Sequence, residues 1–217
     1  MPPAPPPAET VRFPTAPADV PALDAASAPE HPLALLADWV AVAHDRGVLE
    51  PMYVTLATAS AEGVPSSRTV QLLAVEPEAL LFTTNLSSRK GVELAATGRA
   101  AVSLYWRETA QSVNVTGRVD YAMDEENDRR FAEEDRAVQA ARVVSFHGLP
   151  LPDEAEQLQR FHALRDGAQA ITRPTHWGWF RLRPDGVTFW EGRSGELNRR
   201  LHYRLDAGRW SRGAIQA

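Results

Sequence analysis

Four hydrogen-bonding side chains stand together at positions 87–90: Ser87, Ser88, Arg89 and Lys90, within the stretch FTTNLSSRKGVELAATG. A short apolar run precedes them and a helix-like segment follows, so they fall at a helix start. A helix start carries backbone N–H groups without intrahelical partners and the positive end of the helix dipole. Two hydroxyls and two cations added to it make a phosphate-binding set, with arginine as a planar bidentate donor and lysine as a point charge. Taken alone, the four residues are read more simply as a serine N-cap followed by two solvated cations. The order of other motifs along the chain is what shifts that balance.

The elements that must position this cluster are legible from periodicity. Leu35, Leu36, Trp39, Val40 and Ala43 recur at helical spacing, and Gly47 stands where the helix should stop. From Met52 the period shortens toward two, and MYVTLATAS, SRTVQLLAV and ALLFTT read as three neighbouring strands. SSRKGVELAATG reads as a short helix capped by Ser87 or Ser88 and stopped by Gly98, and RAAVSLYW and QSVNVTGRVDYA follow as strands. Residues 124–146 favour helix, as does DEAEQLQRFHALR. HWGWFRLRPDGVTFWEG reads as a hairpin turning at Pro184-Asp185-Gly186. The regular alternation predicts a mainly antiparallel sheet of at least six strands that closes into a barrel, flanked by helices.

Composition bounds the possibilities. The chain has 217 residues, of which 44% are apolar, enough for one substantial core. Residues 1–31, rich in proline and alanine, are expected to form a flexible arm ahead of a single domain over 32–217. A net charge of −5 argues against a general nucleic-acid binder. The absence of cysteine removes disulfides and thiolate metal sites, and no metal is expected. No basic, apolar leader opens the sequence and no run approaches the roughly 20 apolar residues of a membrane span. The expectation is a soluble cytoplasmic protein without membrane contact.

Four segments, SSRTVQLL, FTTNLSSRK, LYWRETAQSVNVTG and FWEGRSGELNRRLHY, occur in the order and spacing of the pyridoxamine 5′-phosphate oxidase-like family of flavoproteins. The chain resembles that family from about residue 33 to 212. Within it, LYWRET and the LATASAEGVPSSR lead-in look closest to the FMN-dependent oxidases of phenazine biosynthesis. The resemblance implies an FMN-binding split β-barrel that forms a homodimer, with the cofactor at the subunit interface. It further implies that Arg68, Thr69 and Val70 run along the flavin and that Thr83 and Thr84 lie near its phosphate or ribityl chain. Ser88, Arg89 and Lys90 would hold the phosphate. Gln111 or Ser112 would sit near the flavin ring, and Trp190 and Arg200 would complete the cofactor contacts. His147 and Gly148 stand where the family usually has a Gln-Ser pair.

The resemblance fails where the family grips its vitamin substrate. The columns of the phosphate-binding lysine, tyrosine, arginine and serine hold Leu73, Arg130, Glu134 and Val138. Removing two cations and adding an anion disfavours a phosphate ester. The family's Arg-Leu-His triplet reads as Glu196-Leu197-Asn198, unless residues inserted in GRSGELN move Arg200-Leu201-His202 into that place. The implied function is an FMN-dependent oxidoreductase of secondary metabolism, such as antibiotic biosynthesis. It would oxidise a dihydrophenazine-like ring or an amine, with O2 as acceptor. Arg130, Glu196 and Asn198 are candidate substrate contacts, and His147 and His202 are candidate acid–base groups by type. Two other readings stay open: pyridoxamine or pyridoxine 5′-phosphate oxidase, and a flavin-binding protein without turnover.

Overall fold

The helix predicted after the arm is α1, Pro32–Asp45, entered by a proline at its first turn with the His31 ring accepting from the Leu33 N–H at 3.3 Å. It ends at Arg46, and Gly47 takes the left-handed backbone at φ +69° that a side chain would disfavour. Leu33, Leu36, Trp39 and Ala43 form its buried stripe. Trp39 meets Phe189 edge-on at 5.1 Å, which fixes α1 against the barrel. These coordinates, a computed structural model, describe residues 15–151, 153–193 and 195–216.

Eight antiparallel strands make one sheet. They are β1 (Tyr53–Ala59), β2 (Pro65–Val75), β3 (Leu80–Asn85), β4 (Arg99–Trp106), β5 (Gln111–Tyr121), β6 (Trp177–Glu191), β7 (Arg199–Asp206) and β8 (Arg209–Ala214). Their order is β3-β2-β1-β4-β5-β6-β7-β8, and a further β3–β6 pairing closes the first six into a barrel. The alternation seen in sequence becomes the two faces of its wall. Val102, Leu104, Val113, Val115, Val187 and Phe189 point inward, whereas Ser103, Tyr105, Ser112, Asn114 and Trp190 point outward. Between β3 and β4 lies α2, Arg89–Thr97, and beyond β5 lie α3 (Asp124–Ala132), α4 (Arg136–Val144) and α5 (Glu154–Asp166). A smaller apolar cluster of Leu81, Ala122, Phe131, Trp177 and Trp179 seats the α3 side on the barrel.

Three expectations need correction. The predicted hairpin over 176–192 is one fifteen-residue strand, β6. Its register with β5 slips where Thr116 faces Gly186 and Gly117 faces Pro184, leaving Asp185 as the extra residue of a bulge. Arg99 binds Asp185 at 2.6 Å, and a Cβ on Gly117 would lie 2.0 Å from the Arg183 carbonyl oxygen, so the Pro-Asp-Gly signal marks a bend rather than a reversal. The bend lets β6 pair with β3 in its first half and β7 in its second. The helical stretch at 124–146 is broken into α3 and α4, with the buried Gln139 amide donating to the Phe131 carbonyl at the break. Residues 1–14 of the expected arm lie outside the described residues. Of the remainder, Val20, Leu23 and Ala28 are buried, the Glu191 carboxylate accepts from the Leu23 N–H at 2.7 Å, and the Tyr203 hydroxyl donates to the Pro29 carbonyl. This half is docked on the barrel, because apolar residues spaced among the prolines find a groove beside β7.

Candidate functional site

Ser88 is the N-cap of α2: its hydroxyl accepts from the Gly91 N–H at 3.4 Å and donates to the Asn85 carbonyl at 2.6 Å. Asn85, fully buried at the end of β3, accepts from the Ser87 N–H and hydroxyl and donates to the Ser145 carbonyl after α4. One side chain therefore shapes the helix start and ties it to α4. Gly91 is required by close approach, since a Cβ there would stand 2.3 Å from the Leu86 carbonyl oxygen and 2.6 Å from that of Asn85.

At this helix start the Lys90 ammonium is half-buried, and its hydrogen-bond partner is the Ser88 hydroxyl at 3.3 Å. Among the described residues no carboxylate pairs with it. Burial, and then the neighbouring Arg68 guanidinium, hold its pKa below the ordinary lysine value. Thr84, 1% exposed at the end of β3, carries a hydroxyl oxygen without a hydrogen-bond partner among the described residues. An uncompensated cation beside free helix N–H groups is what a bound phosphate would satisfy. These residues fit the phosphate end of FMN.

The two arginines are held by a group that motif reading missed. The buried Glu93 carboxylate accepts from Ser66 at 2.5 Å, from Thr58, and from Arg89 Nε at 2.8 Å, with Arg68 Nη2 3.5 Å away. Arg68 also donates to the Thr58 hydroxyl at 2.6 Å and the Ser66 hydroxyl at 2.5 Å, so each hydroxyl accepts from Arg68 and donates to Glu93. Hydrogen bonds from Ser66 and Thr58, with Arg89 beside them, bring Glu93 down to about 2. Arg89 is largely exposed at the rim. The Arg89–Glu93 spacing of four residues on a helix was a signal available in the sequence.

The predicted cofactor contacts on the strands divide between the two faces of the wall. Arg68 and Val70 face the barrel interior while Thr69 is exposed, and the Thr83 hydroxyl donates to the Gly178 carbonyl at 2.9 Å. Ser112, Trp190 and Arg200 stand side by side on β5, β6 and β7. All three lie on the outer face of the wall, so the structure separates Ser112 from Gln111, which is buried inside opposite Glu191. The Gln111 Oε1 has no hydrogen-bond partner among the described residues. His202 shares the outer face, its Nδ1 2.9 Å from the Thr188 hydroxyl. Glu196 pairs with Arg193 and Asn198 accepts from the Arg193 N–H, which organises the loop between β6 and β7.

The α4 side carries the other candidates. Arg130 is engaged with Glu126 and Glu76, which both also pair with Arg181. Glu134, expected to add a repelling anion, forms a two-point ion pair with Arg142 and is thereby compensated. His147 reaches solvent and lies edge-on to Trp177 at 5.3 Å. Its protonation is opposed by burial first, then by Lys90, Arg142 and His176. The structure thus brings His147 toward Lys90, whereas His202, Glu196 and Asn198 sit with the β6–β7 group. The Glu134–Arg142 pair spans the α3–α4 break, so helical spacing could not reveal it.

The fold is an antiparallel six-stranded split barrel that carries the candidate phosphate cluster at the start of α2, between its third and fourth strands. Residues 42–172 match the family profile described as pyridoxamine 5′-phosphate oxidase. A pyridoxine/pyridoxamine 5′-phosphate oxidase of Chromohalobacter salexigens is 35% identical over 185 residues, covering 84% of this chain and 86% of the relative. The crystal structure of PhzG from Burkholderia lata 383, in complex with tetrahydrophenazine-1-carboxylic acid, is similar with a TM-score of 0.87. It is 32% identical, and the match covers 92% of this chain and 98% of that one. A pyridoxamine 5′-phosphate oxidase-related, FMN-binding protein of Nostoc punctiforme shares the fold, at a TM-score of 0.70 and 19% identity, over 83% of this chain and 96% of that one. The chain belongs to the pyridoxamine 5′-phosphate oxidase family and is a flavin-dependent oxidoreductase.

Proposed function

We propose that the chain is a homodimeric, cytoplasmic FMN-dependent oxidase of secondary metabolism that acts on a partly reduced, dihydrophenazine-like ring, with O2 as the final acceptor. The observation that carries the cofactor assignment is Lys90, half-buried at the α2 start with no carboxylate partner among the described residues. Ser88, Lys90 and the α2 N–H groups would bind the phosphate, with Arg89 at the rim and Arg68 behind, both oriented by Glu93. Bound FMN would supply the two-electron acceptor, a role the side chains themselves cannot fill.

Dimerisation is supported by where the predicted contacts fall. Arg68, Thr84 and Lys90 gather at the barrel interior and the α2 start, whereas Ser112, Trp190 and Arg200 line the outside of the wall. Opposite faces of one wall cannot both touch one cofactor, but two copies facing each other can supply one set each. Tyr53 and Tyr105, 47% and 55% exposed, give that outer face an apolar surface to bury.

The substrate reading rests on the positions that hold Leu73, Glu134 and Val138 instead of two cations and a serine. Likeness to the phenazine-bound structure supports it further. The relatives of the vitamin pathway favour a second reading, pyridoxine 5′-phosphate oxidation. Anaerobic titration separates them: bleaching of the flavin absorbance by a tetrahydrophenazine carboxylate and not by pyridoxine 5′-phosphate is expected. Bleaching by the phosphate ester alone would reverse the assignment, and bleaching by neither would leave a flavin-binding protein without this turnover.

A further inference from the structure

Beside the cradle, α4 lines an open cavity of about 380 Å³ whose walls include Val138, Ala141, Arg142, His147, Phe161 and Trp177. Its walls are mostly apolar or aromatic, and the polar groups on them are the Arg142 guanidinium, the His147 imidazole and Ser145. The Arg142 side chain is only 11% exposed, with its carbon Cζ 4.4 Å above the Trp177 ring and 5.4 Å from that of Trp179. Nε and Nη2 are both taken by Glu134, which fixes the plane of the fork. Nη1 has no acceptor among the described residues. Trp177, 5% exposed, carries an Nε1–H that is fully buried and has no acceptor. His147 stands perpendicular to the same ring. The Trp177 Nε1–H is thus a buried donor left unmet, which costs stability, and Arg142 Nη1 is a donor that no described acceptor engages.

We infer that this cavity is the substrate-ring subsite, that it takes a planar aromatic monocarboxylate, and that Arg142 reads the carboxylate. The inference rests on the flavin-oxidase reading and extends it to a residue outside the family's phosphate-ester grip. The charge balance selects the monoanion. Arg142 is already offset by Glu134, and burial outweighs their mutual attraction in both, raising the carboxyl and lowering the guanidinium. Lys90 is assigned to the cofactor phosphate. A single additional negative charge meets Arg142 Nη1, whereas a dianionic phosphate ester meets no second free cation among the described residues of the lining. Stacking of the guanidinium on Trp177 favours a flat ligand, which can extend the same stack. Glu134 acts through Arg142 and is a positioning residue. It replaces no lost cation itself but holds one that arrives from α4.

The test is calorimetric titration of the flavin-loaded protein with phenazine-1-carboxylate and, separately, with phenazine-1-carboxamide, which has the same outline and no charge. The native protein should prefer the carboxylate by about tenfold or more, the range of one charge-assisted hydrogen bond. In the double variant Glu134→Gln, Arg142→Met, which leaves no unpaired buried charge, carboxylate affinity should fall to that of the carboxamide. The carboxamide affinity should fall much less than that of the carboxylate, and the flavin absorbance should stay unchanged. A preference that survives in the double variant overturns the inference, as does its absence in the native protein. Val138→Trp, which fills the cavity from its exposed rim, should lose both ligands while retaining flavin, and undiminished binding there would also overturn it. Native protein that holds no flavin would defeat the cofactor reading instead, so the two failures are distinguishable.

Discussion

Lys90 is the residue on which the proposed FMN site turns, because no carboxylate among the described residues offsets its charge at the α2 start. Lys90→Met should lower FMN affinity about ten- to hundredfold, the range for loss of one charged hydrogen bond. Arg89→Met should cost less, since Arg89 is mostly exposed and shared with Glu93. Equilibrium dialysis of the two variants checks the order, and equal losses would contradict it. Glu93 gives a pH signature. Its folded pKa of about 2 lies below the ordinary 4.5, so its stabilising contribution is present above that ordinary value and is lost as pH falls toward 2. Glu93→Gln should therefore melt lower than the native protein near neutral pH, and its melting temperature should fall less between about pH 5 and pH 3. Some acid sensitivity should persist from Glu126, also brought to about 2, by Arg181 and Arg130. An unchanged acid profile would count against the Glu93 hub. At this scale the sequence exposed Ser88, Arg89 and Lys90, because residue type at a helix start is a local signal. It concealed the Ser66–Thr58–Arg68–Glu93 lattice, whose members meet only when α2 packs on β1 and β2.

At the scale of elements, α2 is where fold and site are the same structure. Gly91 lets the helix start press against the Asn85 and Leu86 carbonyls, and Asn85 carries that position across to α4. Gly91→Ala should destabilise the protein by about 1–3 kcal/mol, as overpacking does, and should weaken flavin retention out of proportion to the melting shift. Differential scanning fluorimetry with and without added FMN measures both, and a variant matching the native protein in each would contradict the contact. Periodicity revealed β1 to β5, α1 and α2 because each has one buried face. It misread β6 because Pro-Asp-Gly encodes either a turn or a bulge, and only pairing to β3, β5 and β7 decides between them. The α3–α4 break escaped notice for the same reason: the Gln139–Phe131 bond that caps it is tertiary.

For the whole molecule, the barrel is complete within one chain, but the inferred cofactor contacts divide between the inside and outside of its wall. That division was invisible to periodicity and entered only through family resemblance. Light scattering of the flavin-loaded protein should give twice the chain mass, and Tyr105→Glu on the outer face should shift it toward the monomer and release flavin. A monomer that keeps its flavin would contradict the shared site. The most direct measurement of the central claim is titration of the flavin-free protein with FMN and with riboflavin, which differ only in the phosphate. The account predicts that FMN binds at least about a hundredfold tighter, as two or more charged contacts at the α2 start would give. Equal affinity for the two would contradict it.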